Sequence, residues 1–261
     1  MKKLREQKIL DFLKKRGSIK IKDIVDLCDV SENTARRDLH SMEKQILLVR
    51  THGGAIRASQ NSVYPDFETR LRKLSFEKER IGECAASFIK DNDVIYIDCG
   101  TTLFFIYKFL KDKANLIVIT HSLPLIYQLS NLPGIKLFII GGEVDKERKA
   151  AYGPIAEKNI NEFHTNKAFI GTDGISLANG LSTYELKEGL VTRRVAENSK
   201  EVFLVCTSDK IEKDAFINFA SFDLIDHIIT DNKIANNICS RYKERIDLII
   251  SGGDLKGDKE M

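Results

Sequence analysis

VSENTARRDLHSMEKQILL, residues 30–48, carries a helix-capping serine at its second position and sets two adjacent arginines against an apolar seam. Ser31 can accept a backbone N–H from the first helical turn, and Glu32 puts negative charge at the positive end of the helix dipole. Ala35, Leu39, Met42 and Ile46 recur at steps of three and four, so they form one apolar stripe. That stripe leaves Asn33, Arg36, Arg37, His40 and Lys44 facing outward, a cationic and donor-rich surface.

Working upstream, Ile21, Ile24, Val25 and Cys28 give a second short stripe. Asp29-Val30 leaves only a tight turn before Ser31, the spacing of a helix-turn-helix. Leu4, Ile9, Leu10 and Leu13 supply a first, supporting helix that ends at Arg16-Gly17. Downstream, Leu47 to Arg50 and Ala55 to Arg57 flank Gly53-Gly54, and a glycine pair between β-prone runs signals a hairpin. Arg50, His52 and Arg57 are therefore expected on a projecting ribbon beside the arginine-bearing helix. Residues 1–57 are read as a winged helix-turn-helix.

Arg36 and Arg37 alone would read as an ordinary solvated face. The charge distribution argues otherwise. Residues 1–60 carry 14 Lys and Arg against 8 Asp and Glu, a surplus of six, whereas the remaining 27 and 30 leave a deficit of three. The whole-chain balance of +3 thus hides a basic module on an acidic body, the footprint of a nucleic-acid-binding domain.

The wider chain narrows the class. Its 261 residues, 43% of them hydrophobic, suffice for one or two folded domains. The opening MKKLREQKILDFLKK breaks its apolar positions with Asp11, Lys14 and Lys15, so a secretory signal is not expected, and no apolar run reaches membrane-spanning length. A cytoplasmic protein with no membrane partner is the expectation. The cysteines (Cys28, Cys84, Cys99, Cys206, Cys239) are odd in number, widely spaced and mostly set in apolar runs, which reads as reduced, packed thiols. His40, His52, His121, His164 and His227 show no paired ligand spacing, so neither metal nor cofactor is called for.

Residues 58–77 turn polar and irregular, with Ser59, Gln60, Asn61, Ser62 and Pro65, and are read as a linker and lead-in helix. From 78 to 261, short β-branched runs alternate with helical segments: VIYID (94–98), LIVIT (116–120), KLFII (136–140), KAFIG (167–171), VFLVC (202–206), HIIT (227–230) and DLII (247–250). Near-continuous apolar strands separated by helices predict a mostly parallel α/β sheet covered on both faces. Polar and glycine residues follow each strand, and open parallel sheets bind ligands at that end. In DCGTT (98–102), Gly100 allows close backbone approach while Thr101 and Thr102 offer hydroxyls and N–H groups; Lys210 adds a positive charge after another strand. These suit a phosphate. Asp98 and Asp173 would instead accept hydrogen bonds from sugar hydroxyls.

Taken together, VSENTARRDL with the following VRTHGGA, then Phe67-Glu68-Thr69-Arg70, DCGTT, Gly141-Gly142, Tyr152-Gly153-Pro154, AFIGTDGIS and Gly180-Leu181-Ser182 resemble the DeoR family of bacterial transcriptional repressors over nearly the whole chain. The resemblance implies a winged helix-turn-helix that reads operator DNA and a sensor domain similar to ribose-5-phosphate isomerase that binds a phosphorylated sugar or related metabolite. It implies DNA contacts from Ser31, Asn33, Thr34, Arg36 and Arg37, and effector contacts around Asp98, Gly100, Thr101, Thr102 and Lys210. The chain departs from the commoner family pattern at His121, Thr192 and Thr207.

The resulting expectation is a repressor of a carbohydrate operon whose operator affinity is set by a phosphorylated metabolite. Paired half-sites call for a homo-oligomer, a dimer or tetramer. Two alternatives stand beside it: a sugar-phosphate isomerase with an attached DNA-binding domain, and an activator on the same fold. Against the isomerase, LSTYELKEGL offers Glu185 and Glu188 but no glycine-rich catalytic loop.

Overall fold

The computed structural model describes residues 2–16, 18–44, 48–51, 53–57 and 65–252. Contacts divide the chain into two units, Met1–Asp66 and Phe67–Met261.

The first unit runs α1 (Lys2–Arg16), β1 (Ser18–Lys20), α2 (Ile21–Cys28), α3 (Glu32–Lys44), β2 (Leu48–Thr51) and β3 (Gly54–Arg57). Ile9 and Leu13 of α1, Ile24 of α2, and Ala35, Leu39 and Met42 of α3 are buried together with Leu48 and Ala55, one shared core. Asp29 ends α2 in the left-handed region, φ 51°, and its N–H returns to the Val25 carbonyl. Aspartate tolerates that conformation better than most residues, which makes the tight turn into α3 possible. Ser31 Oγ then accepts the Thr34 N–H at 3.3 Å, the cap read from the sequence.

Two features of this unit were not anticipated. Asp38 is buried, and its carboxylate takes Arg5 Nε at 2.7 Å and Nη2 at 3.1 Å, a two-point clamp of α3 onto α1. The ribbon is also wider than a hairpin: β1 joins it in an antiparallel sheet of order β1-β3-β2. Gly54 is required at this junction rather than for the turn, because a Cβ there would sit 2.0 Å from the Ile19 carbonyl oxygen. Gly17, Ile46, Leu47, His52, Gly253 and the polar stretch Ser59–Ser62 lie outside the described residues, as do the side chains of Leu4, Lys44, Arg50 and Arg57.

The second unit begins with α4 (Phe67–Arg72) and α5 (Ser75–Ser87), followed by β4 (Val94–Ile97), α6 (Thr101–Phe104), β5 (Leu116–Thr120), α7 (Leu123–Leu129) and β6 (Ile135–Ile139). A hairpin of β7 (Glu143–Asp145) and β8 (Ala150–Tyr152) leads to α8 (Pro154–Ile160) and β9 (Thr165–Ile170). After β10 (Gly174–Ser176) and β11 (Gly180–Thr183) come α9 (Leu186–Glu197), β12 (Ser199–Val205), β13 (Ile217–Ala220), β14 (His227–Thr230), α10 (Asn236–Lys243) and β15 (Asp247–Ile250).

All seven apolar runs become strands of one parallel sheet, of order β15-β14-β12-β9-β4-β5-β6. Alternate residues feed two cores, as expected of strands covered on both faces. Tyr96, Ala168, Ile170, Val202 and Leu204 pack with Ala156, Val191, Val195 and Tyr242, from α8, α9 and α10. Ile95, Ile97, Phe169, Phe203 and Val205 pack with Ile81, Ala85, Leu103 and Leu125, from α5, α6 and α7. A small antiparallel sheet of order β10-β11-β13 was not read from the sequence. The chain proceeds outward from β4 to β6, then restarts at β9 on the other side of β4. Strand order therefore reverses between β4 and β9, and open α/β sheets place ligand sites at the carboxyl ends of such a pair.

Candidate nucleic-acid interface and ligand pocket

On α3 the cap and the apolar seam fix which side chains reach solvent. Ser31, Asn33, Arg36, Arg37 and His40 are exposed and Thr34 is half-buried, all within the first turns of one helix. Arg36 Nη2 lies 3.5 Å from Glu32 Oε2, an exposed pair one turn apart. Such a pair is worth well under 1 kcal/mol and yields readily to a phosphate or a base edge. Arg50 and Arg57 are placed on β2 and β3 by backbone alone; His52 falls outside the described residues.

At the carboxyl ends of β4, β9 and β12 a cavity of about 310 Å³, mouth included, is lined by Asp98, Gly100, Thr101, Thr102, Gly171, Thr172, Asp173 and Lys210. All six residues singled out from the sequence for a ligand line this one space. Arg70 from α4 and Glu188 from α9 also line it. Asp98 is held rigidly: Oδ1 accepts the Cys99 N–H at 2.8 Å, and Oδ2 accepts the Gly171 N–H at 3.1 Å and the Thr192 hydroxyl at 3.0 Å. Thr192, one of the departures from the family pattern, is thus a neutral partner to Asp98. Thr207, another, donates to Asp209 Oδ1 at 2.6 Å and so shapes the turn that carries Lys210.

Lys210 Nζ donates to the Thr172 carbonyl at 2.5 Å and lies 3.9 Å from Asp173 Oδ1. Asp173 Oδ2 accepts from the Thr183 hydroxyl at 3.1 Å and the Tyr184 N–H at 3.2 Å. Behind it sits a buried arginine that no motif singles out: Arg148 Nη2 is 3.1 Å from Glu188 Oε2 and 3.6 Å from Asp173 Oδ2. Burial and the neighbouring Asp173 push the Glu188 carboxyl up, and Arg148 opposes them. Lys78, also absent from the sequence-based selection, is buried and donates to Thr101 Oγ1 at 3.0 Å and to the Arg70 carbonyl. Burial lowers its pKa to about 7, with Lys210 and Arg70 adding repulsion.

Beneath Asp98 lies His121, the third departure. Its Nδ1 is 2.5 Å from the Tyr96 hydroxyl and its Nε2 is 3.6 Å from Asp98 Oδ1. Burial lowers the His121 pKa, which keeps the ring neutral. Ligand atoms of Asp98, Cys99 and His121 fall within 4.8 Å of one another. Both Asp98 oxygens already accept hydrogen bonds, burial holds the Cys99 thiol protonated against the Tyr152 hydroxyl at 3.1 Å, and His121 Nε2 is buried without a hydrogen-bond partner. All five cysteines are free.

The two units correspond to two family profiles. The DeoR-like helix-turn-helix domain matches residues 5–61, and the DeoR C terminal sensor domain matches residues 73–232. The chain belongs to the DeoR family. Among curated DeoR-family relatives, the HTH-type transcriptional repressor GlcR of Bacillus subtilis (strain 168) is 34% identical over 247 residues, 94% of this chain and 95% of that protein. The lactose phosphotransferase system repressor of Lactococcus lactis subsp. lactis is 40% identical over 239 residues, 90% of this chain and 92% of the relative. A solved ribose 5-phosphate isomerase from Plasmodium falciparum superposes with a TM-score of 0.37 at 15% identity, over 51% of this chain and 52% of that one, a distant likeness from which no chemistry follows.

Membership makes this chain a DNA-binding transcription regulator rather than an enzyme, and the isomerase alternative falls with it. No helix among the described residues is long and apolar enough to cross a membrane.

Proposed function

We propose that the chain represses a carbohydrate operon and that a phosphorylated sugar, held at the carboxyl ends of β4, β9 and β12, sets its affinity for operator DNA. The observation that carries this reading is the two-sided lining of the cavity: Arg70 and Lys210 supply positive charge, while Asp98, Asp173 and Glu188 supply fixed acceptors for hydroxyls. A ligand matching both is anionic at one end and hydroxyl-rich along its length. The name of one relative, a lactose phosphotransferase system repressor, agrees with carbohydrate control.

In this reading Ser31, Asn33, Thr34, Arg36 and Arg37 meet the duplex, with Arg50, His52 and Arg57 on the wing. Paired half-sites require at least two copies. The edge strand β6 and its neighbour α7 expose Ile139 and Tyr127, apolar surface on which copies can associate.

The test is fluorescence anisotropy of the full chain on DNA from its own promoter region, titrated with phosphorylated hexoses, pentoses and polyols. One of them is expected to change operator affinity by 5- to 150-fold, about 1–3 kcal/mol of coupling. Arg36→Ala combined with Arg37→Ala is expected to weaken operator binding at least tenfold with the circular dichroism spectrum unchanged. Wild-type affinity in that folded double variant, or indifference to every phosphorylated sugar, defeats the reading. Loss rather than gain of promoter activity on gene deletion would make the chain an activator.

A further inference from the structure

His121 is fully buried and half satisfied. Its Nδ1 faces the Tyr96 hydroxyl at 2.5 Å, while Nε2, the nitrogen turned toward Asp98, has no hydrogen-bond partner. A buried ring nitrogen left unmatched costs free energy, so its orientation calls for an explanation. Asp98, 3% exposed, is the group it points at, with Oδ1 at 3.6 Å. The donors to Asp98 are all neutral: two backbone N–H groups and the Thr192 hydroxyl. No lysine or arginine nitrogen lies within ion-pairing distance of it among the described residues. Buried charges are commonly paired or bound to a metal ion. Oδ1 accepts a single hydrogen bond, from the Cys99 N–H, which leaves that oxygen a free lone pair.

Cys99 adds a sulfur to this oxygen and nitrogen, and the three donor atoms lie within 4.8 Å of one another. Topology brings them together: β4 and β5 pair in parallel with Tyr96 opposite Ile119, so two residues on, Asp98 and His121 stand side by side. No spacing along the sequence shows this. We infer that Asp98, Cys99 and His121 form a binding site for one divalent transition-metal ion of the zinc class, at the carboxyl ends of β4 and β5. Bonds of about 2.0–2.3 Å in a tetrahedron put ligand atoms roughly 3–4 Å apart. The 3.6 Å between His121 Nε2 and Asp98 Oδ1 already falls there. The Tyr96 oxygen is placed to accept an Nδ1–H, the outer contact that orients a metal-bound imidazole. Imidazole and thiolate donors select against calcium and magnesium, which take oxygen ligands. As the metal–sulfur bond forms, the Cys99 proton leaves to solvent and no oxidation state changes. The inference does not depend on which effector the cavity takes.

Packing alone is the competing account. The three polar groups would then merely adjoin, with the Cys99 thiol held against the Tyr152 hydroxyl at 3.1 Å. The two differ in what a metal ion does. The full chain, stripped with a chelator and kept under a non-chelating reductant, is titrated with Zn2+ against a chromophoric competitor. Co2+ serves as a spectroscopic probe of the same site.

The wild type is expected to take up a single Zn2+ per chain, to melt higher when zinc is added, and to show a sulfur-to-cobalt charge-transfer band with Co2+. Cys99→Ser should remove that band. Cys99→Ser and His121→Asn should each weaken zinc by at least about a hundredfold, and Tyr96→Phe, which loses only the outer contact, by about 10–100-fold. Cys28→Ser with Cys239→Ser removes the two half-buried thiols, and His227→Gln removes the ring held between Glu201 and Asp247. These controls should bind zinc as the wild type does. The wild-type cobalt spectrum needs no substitution, so the test stands even where a variant does not fold. Absence of the charge-transfer band, Mg2+ binding as tightly as Zn2+, or wild-type zinc affinity in folded Cys99→Ser or His121→Asn overturns the inference. Indifference of operator affinity to every phosphorylated sugar would defeat the functional reading and leave the metal site standing.

Discussion

Ser31 and Lys78 are the two ends of what a single residue can reveal. The cap at Ser31 is local, made with an N–H three residues on, so it is visible in a string of letters. The cavity residues Asp98, Gly100, Thr101, Thr102, Asp173 and Lys210 were legible for a related reason, since each follows an apolar strand and strand ends of a parallel sheet share one lip. Arg70, Lys78 and Arg148 follow no such rule; they reach the site through packing of α4, α5 and the β7–β8 hairpin, which periodicity does not encode. The stability of the chain should bear the mark of Lys78. Its folded pKa of about 7 lies below the ordinary lysine value of 10.5, so the burial cost is complete below pH 7 and is relieved as pH rises toward 10.5. Lys78→Met is expected to melt higher than wild type at pH 6, by roughly 2–4 °C for each kcal/mol recovered, and the gap should narrow steadily between pH 7 and 10 in differential scanning fluorimetry.

Among the elements, those with a strong period were read and those held by tertiary contacts were not. All seven parallel strands are continuous apolar runs bounded by polar turns. β1 is three residues, too short to alternate, and it exists because Ile19 is buried beside Ala55 of β3. The β10-β11-β13 sheet likewise adds a strand from residues 217–220 to the short β10–β11 hairpin, with a register shift at Leu181/Ser182. The linker reading of residues 58–77 likewise treated as a lead-in what contacts assign to the second unit from Phe67 onward. The wing itself depends on Gly54. A methyl group there would overlap the Ile19 carbonyl, so Gly54→Ala must push β1 off β3, at a cost of about 1–3 kcal/mol. Thermal melts should show that loss, and operator affinity should fall with it while ligand binding by the second unit is retained.

For the whole molecule, the division of labour is also a division of charge and of cores: a basic unit with one small core, an acidic unit with a sheet covered on both faces. The thiols divide by burial instead of by unit. Cys84, Cys99 and Cys206 are buried and pushed up in pKa by that burial, which makes them slow to react. Cys28 in the first unit and Cys239 in the second are only half-buried. Brief alkylation of the native chain, read by peptide mass spectrometry, should therefore modify Cys28 and Cys239 ahead of the other three. One attachment point in each unit amounts to a built-in ruler: a donor and an acceptor dye can be installed without altering the sequence, and the distance between reader and sensor followed as sugar phosphates are added.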